Sequence, residues 1–210
     1  MFVLTVDQIG SRSRSDAVSP ALRALGERLP EAPLAPERTS GGEFQVLLPA
    51  PDRALDTLLW LARTGTWSIG LGIGTVARPL PASIREAAGE AFAAARTAVE
   101  RAKRRPHRVA VEAPAAAEAA TRFCALLELL LAVRARRSAE GWELQELLAS
   151  GLTQSAAAER LGISPQAVSR RAQAADLKAD AAAAAALAGL LAELDAPAGG
   201  AGTGAEGRQP

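Results

Sequence analysis

The sequence predicts an α+β domain followed by an all-α domain. Three observations carry this. Strand-type apolar runs alternate with amphipathic helical patterns from Phe2 to Glu112. No strand pattern follows Pro114. The segment from Gly151 to Ala175, GLTQSAAAERLGISPQAVSRRAQAA, carries the caps, turn and apolar plugs of two short helices that cross steeply.

Residues 2–9, FVLTVDQI, are apolar and β-branched enough for a buried strand. After a Ser/Arg-rich turn, Val18, Leu22, Leu25 and Leu29 fall at helical spacing and predict a helix from Asp16 to Leu29. The proline-rich stretch from Pro30 to Pro36 ends it. Strands over Leu34–Thr39 and Glu43–Leu48 read as a hairpin turning at Ser40-Gly41-Gly42. Pro51 opens a helix to about Thr64, with Leu55, Leu58, Leu59 and Leu61 on its buried side. Trp67 to Ala77, WSIGLGIGTVA, reads as a strand whose alternating glycines let another element approach closely, or cradle a phosphate. A long helix over Pro81–Arg104 precedes a last strand, His107–Glu112. Helices between strands force crossovers and the hairpin adds an antiparallel pair. The expected product is a mixed, ferredoxin-like sheet of βαββαβ type with helices on one face.

Helices are expected over Ala115–Arg137, Glu140–Ala149 and Asp176–Leu194, the last with six consecutive alanines. The expected organisation is an α+β domain over 1–113, a linker or dimerisation helix over 114–139 and a helical domain over 140–195. A Gly/Ala-rich disordered tail over 196–210 completes it.

A chain of 210 residues, 49% of them hydrophobic, can bury one sizeable core and a small accessory one. The net charge of +1 supplies no global cationic field, so any nucleic-acid footprint is a local patch. One cysteine and one histidine exclude a disulfide framework and a Cys/His metal site. Cys124 in FCALLELLLAV reads as a buried thiol. The chain opens on an apolar strand without a basic leader, and its longest apolar run carries Glu128 and is too short for a bilayer. A cytoplasmic bacterial protein without membrane contact is expected.

In the segment from Gly151, Thr153 is placed to cap the first short helix and Ser164 the second, with Pro165 at a first-turn position where no N–H is needed. Gly162 sits at the turn, where a positive φ is expected. Ala158 is small at the crossing, and Leu161, Ile163 and Val168 are the plugs. This is the pattern of a DNA-binding helix-turn-helix. Thr153, Gln154, Ser164, Gln166, Ala167, Ser169, Arg170, Arg171 and Gln173 are its candidate DNA contacts. Gln suits adenine edges, Arg suits guanine or phosphate, and Ala or Ser suits a thymine methyl or a phosphate. Arg171 lies near a position that is usually apolar in this motif and is assigned to the DNA backbone. Arg134, Arg136 and Arg137 are further candidates for phosphate contact, as is the run Arg101, Lys103, Arg104, Arg105 and Arg108, whose plainer reading is a solvated helix end. Two-fold dimers are the usual form of such regulators, with Ala115–Val133 and Asp176–Leu194 as candidate dimer surfaces.

The first domain resembles the palm-type nucleotidyl cyclases, which include class III cyclases and GGDEF diguanylate cyclases. Three segments carry the resemblance: Val6-Asp7-Gln8-Ile9-Gly10 at the end of the first strand, the hairpin Arg38 to Pro49 (RTSGGEFQVLLP), and the helix-strand segment from Ala94 to Val111. With the helix-turn-helix added, the chain is similar to the bacterial SatD family, whose DxxGSR start is matched by Asp7, Gly10, Ser11 and Arg12. The resemblance implies a nucleotide ligand with Mg²⁺ at Asp7, Ser11, Arg12, Gly41, Gly42 and Glu43, with Asp7 and Glu43 as metal ligands. Gly42 stands where the family pattern is acidic, and two-metal phosphoryl transfer needs carboxylates from both strand and hairpin. From the residues alone, Asp7 reads equally as a turn-capping Asp and Glu43 as a solvent-facing hairpin residue. The expected function is a DNA-binding transcriptional regulator, not an enzyme, whose cyclase-like domain senses a ligand or dimerises. The alternative is an active, metal-dependent nucleotide-converting enzyme tethered to DNA.

Overall fold

The computed structural model describes residues 1–196, and the tail expected from Pro197 onward lies outside the described residues. The chain is α+β. Five strands form one sheet: β1 (Phe2–Gln8), β2 (Glu37–Ser40), β3 (Glu43–Leu48), β4 (Trp67–Ile73) and β5 (Val109–Glu112), in the order β2-β3-β1-β4-β5. β1 is antiparallel to both β3 and β4, β2 and β3 form the hairpin, and β5 is parallel to β4. The helices are α1 (Val18–Arg28), α2 (Pro51–Ala62), α3 (Glu90–Ala102), α4 (Ala117–Ala135), α5 (Ala139–Ala149), α6 (Gln154–Leu161), α7 (Pro165–Ala174) and α8 (Leu177–Asp195).

Alternation along the strands divides the core. Phe2, Leu4 and Val6 of β1, Phe44, Val46 and Leu48 of β3, and Ile69, Leu71 and Ile73 of β4 share one core with α1, α2, α4 and α8. Each fully buried side chain of this kind contributes about 1.5–3 kcal/mol. Trp67 meets the Phe44 ring edge to face, with centroids 5.3 Å apart. Val3 and Leu47 point to the other face, where Ala91, Phe92 and Ala95 of α3 cover them. Helices therefore cover both faces, not the one face expected. The reason is the β4–β5 parallel pair. Its crossover helix must lie on the sheet, and the first face is already filled.

The glycines of β4 make that docking close. A Cβ on Gly70 would lie 2.2 Å from the backbone nitrogen of Val99, and one on Gly72 would lie 2.1 Å from the Ala91 carbonyl oxygen. The glycine strand is occupied by α3 and is no phosphate cradle.

Several elements are shorter than the pattern implies. The helix expected over Pro81–Arg104 begins only at Glu90, after a separate turn at Ile84–Glu86. Gly89, at φ +138°, sits against the Thr75 carbonyl and resets the chain direction there. The β4 strand stops at Ile73, where the neighbouring β1 runs out; the Gly74 N–H makes a last bond to the Met1 carbonyl. Pro36 delays β2 to Glu37. In α4, Phe123, Cys124, Leu127, Leu130 and Leu131 enter the main core, as do Leu187, Leu191 and Leu194 of α8. The helix expected to link or dimerise thus also builds the fold. A second, smaller core of Leu144, Ala157, Ala158 and Val168 holds α5, α6 and α7 together.

Candidate nucleic-acid interface

Local chemistry fixes the three short helices. Ser138 Oγ accepts the Gly141 N–H at 3.2 Å, Thr153 Oγ1 accepts that of Ala156 at 3.2 Å, and Ser164 Oγ accepts that of Ala167 at 3.2 Å. Each hydroxyl satisfies a first-turn donor that the helix itself leaves unpaired. Gly162 ends α6 in the left-handed conformation at φ +65°, and Pro165 opens α7. Ala157, Ala158 and Val168 are buried where α6 and α7 meet, and Leu161 and Ile163 pack partly buried around them.

The α7 helix buries Val168 and leaves Gln166, Ser169, Arg170 and Gln173 exposed, with Ala167 half-buried. Gln154 is exposed at the start of α6. Arg171 reaches back to α5, where its Nη1 lies 3.2 Å from Glu143 Oε2, so its guanidinium is turned toward its own domain. Gln154, Ser169 and Gln173 share a surface hollow with Lys178 and Asp176 of the α7–α8 junction. Lys178 is the cation that the sequence reading missed on this face. Asp176, at φ +53°, turns the chain so that α8 starts beside α7, and no local motif announces that.

Two arginines expected to touch phosphate are otherwise engaged. Arg134 Nε and Nη2 donate to the two Asp180 oxygens at 2.7 Å each, and Arg137 Nη2 donates to Asp180 Oδ1 at 3.0 Å. Arg137 is buried and also donates to the Ala175 carbonyl at 3.0 Å. Burial pushes the Asp180 carboxyl pKa up, but the Arg134 and Arg137 guanidiniums outweigh it and hold it below the ordinary range. Arg137 and Arg63 both lie over the Trp142 ring, 4.7 and 4.6 Å from its centre. These contacts tie α5, α4 and α8 together. In the run at the α3 end, Arg101 pairs with Glu112, Lys103 with Asp7 and Glu100, and Arg105 with Glu128.

At the hairpin end of the sheet, Asp7 of β1 stands directly opposite Glu43 of β3. Lys103 Nζ lies 3.1 Å from Asp7 Oδ2, and Arg96 Nη2 lies 3.3 Å from Glu43 Oε1, which also accepts the Thr39 hydroxyl at 2.8 Å. The Glu100 carboxylate, with Asp7 adding to it, raises the Lys103 pKa against its partial burial. A divalent ion at this pair would have to displace both cationic side chains. Among the described residues, no group of three His, Cys, Asp or Glu side chains is placed to bind one. Ser11 and Arg12 lie exposed on the loop after β1. A Cβ on Gly42 would come within 2.6 Å of Ser11 Cβ, so this loop fills the place of the acidic side chain. Gly41, at φ +45°, is tied by its carbonyl to Arg38 Nη1 at 2.6 Å.

No family model matches the chain, and no curated protein or solved structure does either. Among the described residues, no helix is long and apolar enough to cross a membrane.

Proposed function

We propose that the chain is a DNA-binding transcriptional regulator, with α6 and α7 as a helix-turn-helix and α7 as the recognition helix. The observation that carries this reading is the exposed set Gln166, Ser169, Arg170 and Gln173 on a helix held from behind by Val168 and capped by Ser164. These side chains offer base-edge donors and acceptors along one helix face, while Lys178 and Arg170 supply charge for phosphate. The rest of the chain reads as a cytoplasmic, SatD-like sensory or dimerisation module. The antiparallel order β2-β3-β1-β4, with α1 and α2 on one face, supports a ferredoxin-like and nucleotidyl-cyclase-like descent. Its carboxylate site is degenerate.

A single helix-turn-helix reads few base pairs, so the working unit is a homodimer on double-stranded DNA. The apolar groove between α4 and α8 suits a second copy, because Leu126 and Leu129 are 48% and 67% exposed beside it. Anisotropy titration of genomic fragments tests the reading. Binding should weaken with salt at a slope of about −0.9 per phosphate neutralised. The recovered site should be a palindrome. Absent or salt-independent binding removes the reading, and a monomer on DNA removes the dimer.

The second reading, a metal-dependent nucleotide enzyme, draws on the facing of Asp7 and Glu43 alone. Product analysis with ATP and GTP in Mg²⁺ distinguishes the two.

A further inference from the structure

The outer side of α4 has a regular spacing. Glu118, Arg122, Ala125, Leu129, Ala132 and Arg136 follow one another at four or three residues, so they form one stripe along the helix; Ala132 is half-buried and the others are exposed. Among the described residues, Leu126 and Leu129 are the two large apolar side chains left open to water. They border a groove of about 330 Å³ between α4 and α8. Its one ionisable lining group, Asp180, is already held by Arg134 and Arg137. Ala183 and Ala186 on the α8 wall leave room for side chains from another helix. The α8 helix runs back along α4, since its start meets Arg134 at Asp180 and its later Leu190 shares the groove with Leu126. Charge is therefore unequal along this face. Glu118 and the exposed Glu193 stand toward one end, and the exposed Arg136 stands at the other. Glu118 has a weak, exposed neighbour in Arg122 at 3.7 Å, and Arg136 forms no ion pair among the described residues.

We propose that this face pairs with the same face of a second copy, α4 against α4 and antiparallel, about a two-fold axis at Leu127. Charge sets the register. A two-fold at that position lays Glu118 opposite the partner's Arg136 at both ends, with Glu193 as a second carboxylate nearby. It also sets the small Ala125 against the partner's Leu129, and Arg122 against the partner's Ala132, away from like charge. A parallel pairing would instead set Glu118 on Glu118, Arg122 on Arg122 and Arg136 on Arg136, which is repulsive throughout. Closing the two faces removes Leu126 and Leu129 of both copies from water. The α5–α7 unit follows the Arg136 end of α4, so antiparallel pairing carries the two units to opposite ends of the pair. At the rise of an α-helix, the two Arg136 positions lie roughly 27 Å apart along it. Recognition helices set at those ends suit half-sites about one DNA turn apart. That spacing rests on the DNA-binding reading, whereas the α4 register rests only on the homodimer.

The experiment is sedimentation equilibrium on the full chain, with far-UV circular dichroism to check the fold of each variant. Wild type should be a dimer at micromolar concentration. Leu129→Lys alters an exposed side chain, so it should keep the fold and lose the dimer. Glu118→Arg and Arg136→Glu should each raise the dimer dissociation constant about tenfold, because each reversal turns attraction into repulsion at both ends. The double reversal should bring it back to within about twofold of wild type, which a parallel pairing cannot do. Arg104→Gln, exposed on the far side at the end of α3, should change nothing. A monomeric wild type would overturn both this pairing and the homodimer. A dimer that survives Leu129→Lys, is unmoved by the single reversals or is not recovered in the double would overturn the α4 register and leave a homodimer of another kind. The expected pattern in a protein that ignores DNA would uphold the pairing and remove only the regulator.

Discussion

Asp7 and Glu43 face each other across β1 and β3, and each lies beside a cation: Lys103, which caps the end of α3, and Arg96 on α3. An ion held between them would have to displace Lys103 and Arg96. Turnover of ATP or GTP should therefore be undetectable by product analysis in Mg²⁺. Gly42→Asp alone should not create it, because the new Cβ would meet Ser11. Cyclic or cyclic-dinucleotide product from either protein refutes this account.

The β4 glycines give a stability prediction. Gly70→Ala would drive a methyl into the α3 backbone, at 2.2 Å from a nitrogen that cannot swing aside. A loss of about 1–3 kcal/mol or more is expected from overpacking. Urea denaturation measures it, and a midpoint equal to wild type would mean that α3 does not rest on β4. Gly26→Ala, with open space around its Cβ and inside α1, should instead be neutral or stabilising.

How far the sequence foretells this molecule depends on the range of each interaction. Thr153, Gly162, Ser164 and Pro165 act within one helical turn, so their spacing alone foretells the caps, and the caps form. The strands and their order along the chain follow from short apolar, β-branched runs in the same way. Gly70 and Gly72 announce a close neighbour but carry no mark of which helix it is or on which face. Asp180 sits among alanines, and its partners Arg134 and Arg137 lie more than forty residues away. No local pattern joins them, which is why both arginines read from sequence as free cations. Lys103 and Arg96 are hidden from sequence for the same reason. They belong to a helical segment that is expected to begin at Pro81, beside a sheet whose helices are all expected on one face.

Arg170 is exposed on α7 and, among the described residues, forms no ion pair, unlike Arg171 beside it. Arg170→Ala should cost about 1–3 kcal/mol in affinity for the cognate site and lower the preference over random DNA. Thermal melting should be unchanged. Arg171→Ala should behave in the opposite sense, with a small loss of stability and nearly unchanged sequence preference, because it severs the contact to Glu143. Anisotropy with cognate and scrambled duplexes separates the two. Unchanged cognate affinity in Arg170→Ala would remove this face from the interface.

Asp16 gives a pH signature. Its carboxylate accepts from the Ser19 hydroxyl at 2.6 Å and from Arg38 at 2.7 and 2.8 Å, and these bonds, Ser19 first, lower its pKa from 3.8 to about 2. A depressed carboxylate stabilises the fold above its ordinary pKa, and that contribution fades as pH falls from about 4 through about 2. Because the site is exposed, the effect is local order of the loop between β1 and α1. Carbon-detected NMR titration should place Asp16 near 2 in wild type and return it toward the ordinary value in Ser19→Ala and in Arg38→Gln. A wild-type value near 3.8 would show that the cluster does not persist in solution.

The last prediction concerns Asp180, the one buried acid among the described residues, which lies between two arginines. Asp180 is 4% exposed, Arg137 1% and Arg134 11% in their side chains. Removing the carboxylate leaves two guanidiniums in a dry site without a counter-charge. Asp180→Ala should therefore cost about 3–5 kcal/mol, more than an exposed ion pair is worth. Asp180→Asn keeps the size and some hydrogen bonds but not the charge, and should fall between. Because Arg137 also bonds Ala175 and lies over Trp142, the damage should spread to α5 and the α7 end before the sheet melts. Hydrogen exchange should show early loss of protection in α5–α7, with β1 and β4 still protected. If Asp180→Ala instead melts as a single unit with wild-type stability, the arginine pair does not couple the helical unit to the sheet.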